Sequence, residues 1–379
     1  MKKRLGALAL LAAAVALPGM VSAASYPSLK PGTFKPMYVV GPKHAAPLNN
    51  KLPLSELTQW NGSFTDLKGN NITFTQIGTN PATTNTTTTN TVYIIPIKMV
   101  YGSTNGNMTF DPDKVKLTNN HDRSVTKAII DSPLFQSNIN FNPQYGSCSP
   151  KCVDLGTTQY EDAFQRGTWW GNDVGTNTDY HVVFASPVVL KEQTINVTSS
   201  DGKVISNPFG SGNVGTMDIN SFDSALQTFM TKLKQINPGV LPLFVTYDIY
   251  LTEGGQCCIG GYHDADGSQP SGQTYSYATY VDSVGAFSQD VSAFSHELGE
   301  WTDDPFVDNN VACDDNSIME VGDPLEGGAN YGAYPYKDKN FTYNLQSLVY
   351  MDYFGAPTSD DANKWYALQD DMSHVCPGQ

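Results

Sequence analysis

The sequence predicts an α+β fold: a β-rich N-terminal portion followed by a zincin-like, metal-binding domain. Three observations carry that expectation. Strand-forming runs of β-branched and aromatic residues fill much of the first half, with Val92 to Tyr101 the strongest. A helical stripe of Val291, Phe294, Leu298 and Trp301 comes late and carries His296-Glu297-Leu298-Gly299-Glu300. Upstream of it, helix, strand and strand follow in the order found in zincin-type zinc proteases.

In chain order, Lys2, Lys3 and Arg4 precede an apolar run to Leu17 and a small-residue exit at Ala23. That is the pattern of a secretory signal covering residues 1–23, so a secreted, extracellular or periplasmic protein is expected. The apolar run is too short to span a bilayer, and no later run is long enough. Residues 24–50 contain Pro and Lys without periodicity and read as an extended leader. Residues 51–140 form the β-rich portion, with strands at 72–77 and 92–101 around a Thr/Asn-rich loop or linker at 79–91. Pro96 marks one edge of the second strand as unpaired.

The zincin-like domain is expected over 141–379. A short amphipathic helix at 160–166 leads to Trp169 and Trp170, and strands follow at 181–184 and 194–197. A helix at 221–234 places Phe222, Leu226, Phe229 and Leu233 on one face, with Ser221 as N-cap. Residues 240–251 read as a buried strand and 274–281 as a half-exposed one. The last helix, about 289–302, is closed by Pro305. His296 and Glu300 flank its apolar stripe, as ligands on a helix half-buried under a cleft would.

The balance of 37 acidic against 22 basic residues gives a net charge of −15, or −18 once three signal-segment cations are removed. Nucleic acid and anionic membranes are therefore excluded as partners. Six cysteines, an even number in an exported chain, point to disulfides, with fifteen possible pairings. Cys148 and Cys152 can close locally through a Pro turn; a thiolate zinc site is the competing reading.

His296 and Glu300 stand at i and i+4 and share a helix face, so both can hold one metal ion. Glu297 then occupies the general-base position of the zinc-protease pattern H-E-x-x-H, whose second histidine is here Glu300. Glu320, twenty residues beyond Glu300, is the expected third ligand, a spacing that resembles the glutamate-ligand zincins. Asp323 is the runner-up ligand, or a carboxylate that orients His296. Zinc is the expected cofactor. Two carboxylate ligands neutralise a divalent ion and weaken its hold on water, and they also admit manganese, iron or calcium.

His263 follows a glycine turn pinned by Cys257 and Cys258 and is a candidate oxyanion stabiliser or alternative ligand. A plain structural histidine is the competing reading. Asp264, Asp266 and Gly267 have the wrong spacing for a calcium loop and read as a turn. The Tyr and Trp residues can line a peptide or glycan groove or simply form core. Neither a G-x-S-x-G nucleophile elbow nor a phosphate-cradling glycine loop is present.

Several late segments resemble the EXORDIUM-like, or phosphate-induced, family of secreted proteins. They are Cys258 to His263, Ser295 to Glu300 with Asp304-Pro305, Glu320 to Asp323 with Glu326-Gly327, and Cys376. The resemblance covers about residues 240–379, with Asp304 where members carry Asn and Pro324-Leu325 where they carry a cysteine. It implies an extracellular or cell-wall protein with a degenerate zincin helix, in which His263, His296, Glu300 and Glu320 form one site.

The expected function is a secreted metal-dependent hydrolase, a monomeric zincin-like peptidase acting on peptide or cell-wall and glycan material. Its site would be His296, Glu300, Glu320 and Asp323 for metal, with Glu297 and His263 in catalysis. The alternative is a non-catalytic extracellular binding protein with a structural metal.

Overall fold

A computed structural model describes residues 34–42, 56–66, 69–117, 122–141, 155–168, 179–311, 318–320, 322–326, 329–338 and 341–347. The first elements are β1 (Phe34–Tyr38), β2 (Gln59–Thr65), β3 (Asn71–Ile77), β4 (Thr87–Asn90), β5 (Val92–Tyr101), β6 (Thr109–Phe110) and α1 (Val125–Ile130). Next come β7 (Ile139–Asn140), β8 (Thr157–Thr158), α2 (Tyr160–Thr168), β9 (His181–Phe184), β10 (Val188–Val189), β11 (Gln193–Val197), β12 (Gly202–Ser206) and β13 (Asn213–Asp218). The chain continues through α3 (Ile219–Lys232), β14 (Leu241–Tyr247), β15 (Ile249–Glu253), β16 (Gln256–Asp266), β17 (Gln273–Tyr280), α4 (Ser292–Asp303), β18 (Ala333–Lys337) and β19 (Thr342–Gln346). The fold is mixed α+β and strand-rich, with a curled half-barrel sheet. No described helix is long and apolar enough to cross a membrane.

The main sheet has eleven strands, with the path β10-β5-β14-β17-β16-β15-β13-β12. It is mixed: β5, β14 and β17 run parallel, while β15, β16 and β17 alternate in direction. The sheet runs across the divisions expected at residues 50 and 140. β5 lies between β10 and β14, and β1, within the expected leader, pairs in parallel with β16.

Pro96 sits where partners change along β5. β10 pairs at Tyr93 and Ile94, and β11 takes over from Ile97. The missing N–H of Pro96 thus falls in a gap between two partners instead of on an open edge. Part of the Thr/Asn run, expected to be loop, is strand β4, because it pairs in parallel with β9.

Strands β16 and β17 separate two hydrophobic clusters. One holds Phe294, Leu298, Trp301 and Ala278; the other holds Tyr262, Tyr275, Tyr277, Phe222 and Leu226. All eight residues of β17 are buried, where a half-exposed strand was expected. Trp301 of α4 donates to Thr274 on one face, and Phe222 of α3 packs on Tyr277 on the other.

Helix α3 starts two residues before the expected cap. Asp218, not Ser221, is the N-cap, and its carboxylate accepts from the Ser221 N–H. The expected strand at 240–251 breaks into β14 and β15 at Asp248, whose φ is 51°. Consequently four strands, not two, separate α3 from α4.

Helix α4 departs most from expectation. Every one of its residues is buried, so it is a core helix instead of a half-wet one. Its N-terminal start is delayed to Ser292 by left-handed Ser288 and Asp290. Phe164 of α2 lies against Gly299, and the Thr302 hydroxyl donates to Glu161, also of α2. β19 covers a further side, with the Gln346 N–H donating to the Ser295 hydroxyl. Its polar residues therefore cannot be a solvated face, and their groups need partners inside the protein.

Candidate metal centre

Strand alternation aims Gly261 and His263 of β16 at α4, while Tyr262 points to the opposite face. This stretch is strand throughout, so His263 does not follow a glycine turn, and Asp264 and Asp266 are not in one. Gly261 has a packing role: a Cβ there would come within 2.5 Å of Glu297 Oε1. Cys257 and Cys258, buried in the same strand, are disulfide-bonded to each other. Cys148, Cys152, Cys313, Cys376, Trp169 and Trp170 lie outside the described residues.

The hydrogen bond from His263 Nε2 sets its tautomer. Nε2 is 2.9 Å from the Asp304 carbonyl, which can only accept, so Nε2 carries the proton. Nδ1 therefore presents a lone pair. It faces Glu297 Oε2 at 3.6 Å, Glu320 Oε2 at 3.8 Å and Glu300 Oε2 at 3.9 Å. Burial pulls His263 down to about 4, against the raising effect of its bond to Asp304, so the ring is neutral at neutral pH.

His296 repeats the logic. Gln346 Nε2 donates to the Gly332 carbonyl, which turns its Oε1 toward His296 Nδ1 at 3.1 Å. The proton on Nδ1 leaves Nε2 facing Glu300 Oε1 at 2.9 Å and Asp323 Oδ1 at 3.3 Å. Burial lowers the His296 pKa, but hydrogen bonding to Asp323 and the charge of Glu297 outweigh it, and the net shift is upward. Glu297 and Glu320 are both pushed well above the usual carboxylate range, first by burial and next by the charge of Glu300.

The loop after α4 brings Glu320 back. The Asp304 carboxylate accepts from the Asp308 and Asn309 N–H groups, and the Asn309 carbonyl accepts from Met319 N–H. Gly322 then donates its N–H to Glu300 Oε1 at 3.0 Å. A Cβ at Gly322 would lie 2.2 Å from His296 Nδ1, so only glycine admits the ring. From the other side, Tyr38 of β1 stacks on His296 with ring centroids 3.6 Å apart.

His263, His296, Glu297, Glu300 and Glu320 are all buried together, with Asp323 at the margin. The expected trio of His296, Glu300 and Glu320 is not one donor group among the described residues. Two groups occur instead, His263–Glu300–Glu320 and His296–Glu297–Glu300, and they share Glu300. Within each, the ligand atoms lie within 4.8 Å of one another. Donors about 2.0–2.2 Å from a tetrahedral ion are about 3.3–3.6 Å apart, close to the separations here. Both Glu297 oxygens are buried without a hydrogen-bond partner among the described residues. A cation is the natural complement of such groups.

Gly261, Gln346 and Tyr38 were not singled out from the sequence. A Gly pair inside a strand-like run could have signalled close backbone approach at Gly261. Nothing local marks Gln346 or Tyr38, which meet His296 only through the tertiary fold. The aromatic residues Tyr262, Tyr275, Tyr277, Tyr280 and Trp301 are core and do not line a groove. An open cleft of about 770 Å³, lined by Trp60, Phe74, Gln269 and Asp308 among others, includes none of the centre's residues.

No family model, curated protein or solved structure matches this chain.

Proposed function

We propose that the chain is a secreted, zincin-like metal-dependent hydrolase whose substrates are peptide bonds of extracellular material. The observation that carries this reading is the convergence of His263 Nδ1 and His296 Nε2 on Glu297, Glu300 and Glu320 in one buried chamber. Glu300 and Glu320, with His263 or His296, supply nitrogen and oxygen donors suited to zinc or another divalent cation. When bound, such an ion acidifies water and polarises a carbonyl. Glu297, whose two oxygens are unpartnered, is the base that takes and returns the proton. Asp304 fixes the His263 tautomer and Gln346 that of His296, so each ring meets an ion as a neutral donor.

The burial of the centre favours a second reading, a structural metal in a non-catalytic extracellular binding protein. Glu297→Gln separates the two. In the hydrolase it lowers peptide hydrolysis about 10²–10⁴-fold while bound metal and the melting temperature of the loaded protein persist. Wild-type protein that retains metal yet cleaves no peptide library, with Glu297→Gln indistinguishable from it, would establish the binding role.

A further inference from the structure

Resting on the reading that the chamber holds metal, we propose that it holds two divalent cations bridged by Glu300. The two carboxylate oxygens of Glu300 point at different histidines. Oε1 lies 2.9 Å from His296 Nε2, and Oε2 lies 3.9 Å from His263 Nδ1. A single ion would fill only one of the two donor groups and leave a buried carboxylate of the other without a counter-charge, an arrangement that costs energy. Two ions give each histidine a counterpart.

The first ion takes His263 Nδ1, Glu320 and Glu300 Oε2, whose donor atoms already form one compact group. The second takes His296 Nε2, Glu297 and Glu300, the other compact donor group, with Asp323 Oδ1 at its margin 3.3 Å from His296 Nε2. Glu297 faces both: its Oε2 lies 3.6 Å from His263 Nδ1, and it belongs to the donor group of His296. It is fully buried with neither oxygen hydrogen-bonded among the described residues, an independent sign of a missing positive partner. Charge agrees as well. Glu297, Glu300, Glu320 and Asp323 bring four negative charges when ionised, which two divalent ions balance and one does not. Carboxylate bridging of paired ions is an established route to hydrolytic chemistry, because two ions together stabilise attacking and leaving oxygens.

The test uses the full chain, stripped of metal by a chelator and titrated with Mn²⁺ alone. Elemental analysis counts bound ions, and electron paramagnetic resonance reports whether they are coupled. Two equivalents per chain with the spectrum of a spin-coupled pair are expected. His263→Gln and His296→Gln should each leave one equivalent with an uncoupled six-line spectrum. One equivalent in the wild type, or two without coupling, overturns the shared centre while leaving the metal reading intact. No bound ion overturns both. If either variant fails to fold, the wild-type count and spectrum still decide.

Discussion

The two faces of β16 both bury carboxylates, and they treat them in opposite ways. On the α3 side, Asp223 Oδ1 accepts from the Tyr262 and Tyr275 hydroxyls, each at 2.8 Å, and Gln227 donates to the Tyr275 oxygen. On the α4 side, Glu297 has no donor among the described residues, and His263 presents a lone pair to it and to its acidic neighbours. The same sheet, one residue out of step, thus makes one self-sufficient polar cluster and one that needs something more. A buried carboxylate that only holds a fold together comes with donors built in. One left facing other acceptors lacks that support, and the proposed metal site rests on this difference.

That contrast is sharpest in the response to losing a negative charge. Asp223→Ala strands two tyrosine hydroxyls in the core and should cost about 2–5 kcal/mol, measured by denaturant unfolding. A loss under about 1 kcal/mol would show that the α3 cluster is not self-sufficient.

A third buried carboxylate, Glu161 of α2, lies between these extremes. The Thr302 hydroxyl donates to one of its oxygens, and the other has no partner among the described residues. Burial pushes it up to about 8, with the Thr302 bond opposing. Its folded state therefore holds a proton that the unfolded chain has released. The associated stability is complete below the usual carboxylate range and is lost as the pH rises toward about 8. The slope for one such group approaches about 1.4 kcal/mol per pH unit. Glu161→Gln should flatten this decline, which melting curves from pH 5 to about 8 would reveal; an unchanged slope would assign the pH dependence elsewhere.

The smallest expected effect carries the sign of the comparison. In metal-free protein, Glu297→Gln removes the cost of keeping an ionisable carboxyl buried beside Glu300 and should raise stability by about 1 kcal/mol, the reverse of Asp223→Ala. A drop in the melting temperature of the metal-free variant would erase the distinction between the faces.

Much of the candidate site was legible in the sequence because it rests on local spacing. His296, Glu297 and Glu300 belong to one helical turn, and that periodicity survives folding unchanged. His263, Glu320 and Asp323 were recognisable as candidates, but not in their grouping. Which histidine meets Glu320 depends on how β16 and the loop after α4 dock on the helix. The half-wet character assigned to α4 failed for a related reason. Amphipathic patterning reports polarity, and it cannot distinguish a face turned to solvent from one turned to a buried polar chamber.

Strand positions followed the same division. β3, β5, β9 and β11 fall where β-branched and aromatic runs place them, whereas β1 and β4 carry little local signal and exist because β16 and β9 offer them partners. Local chemistry alone determined the α+β class and the helical turn that places His296, Glu297 and Glu300 side by side. Tertiary structure decided the rest: the burial of α4, the stacking of Tyr38 on His296, and the splitting of one expected ligand set into two that meet at Glu300. The reason is that hydrogen-bond partners and counter-charges in a core come from residues far apart in the chain, and only packing decides which of them meet.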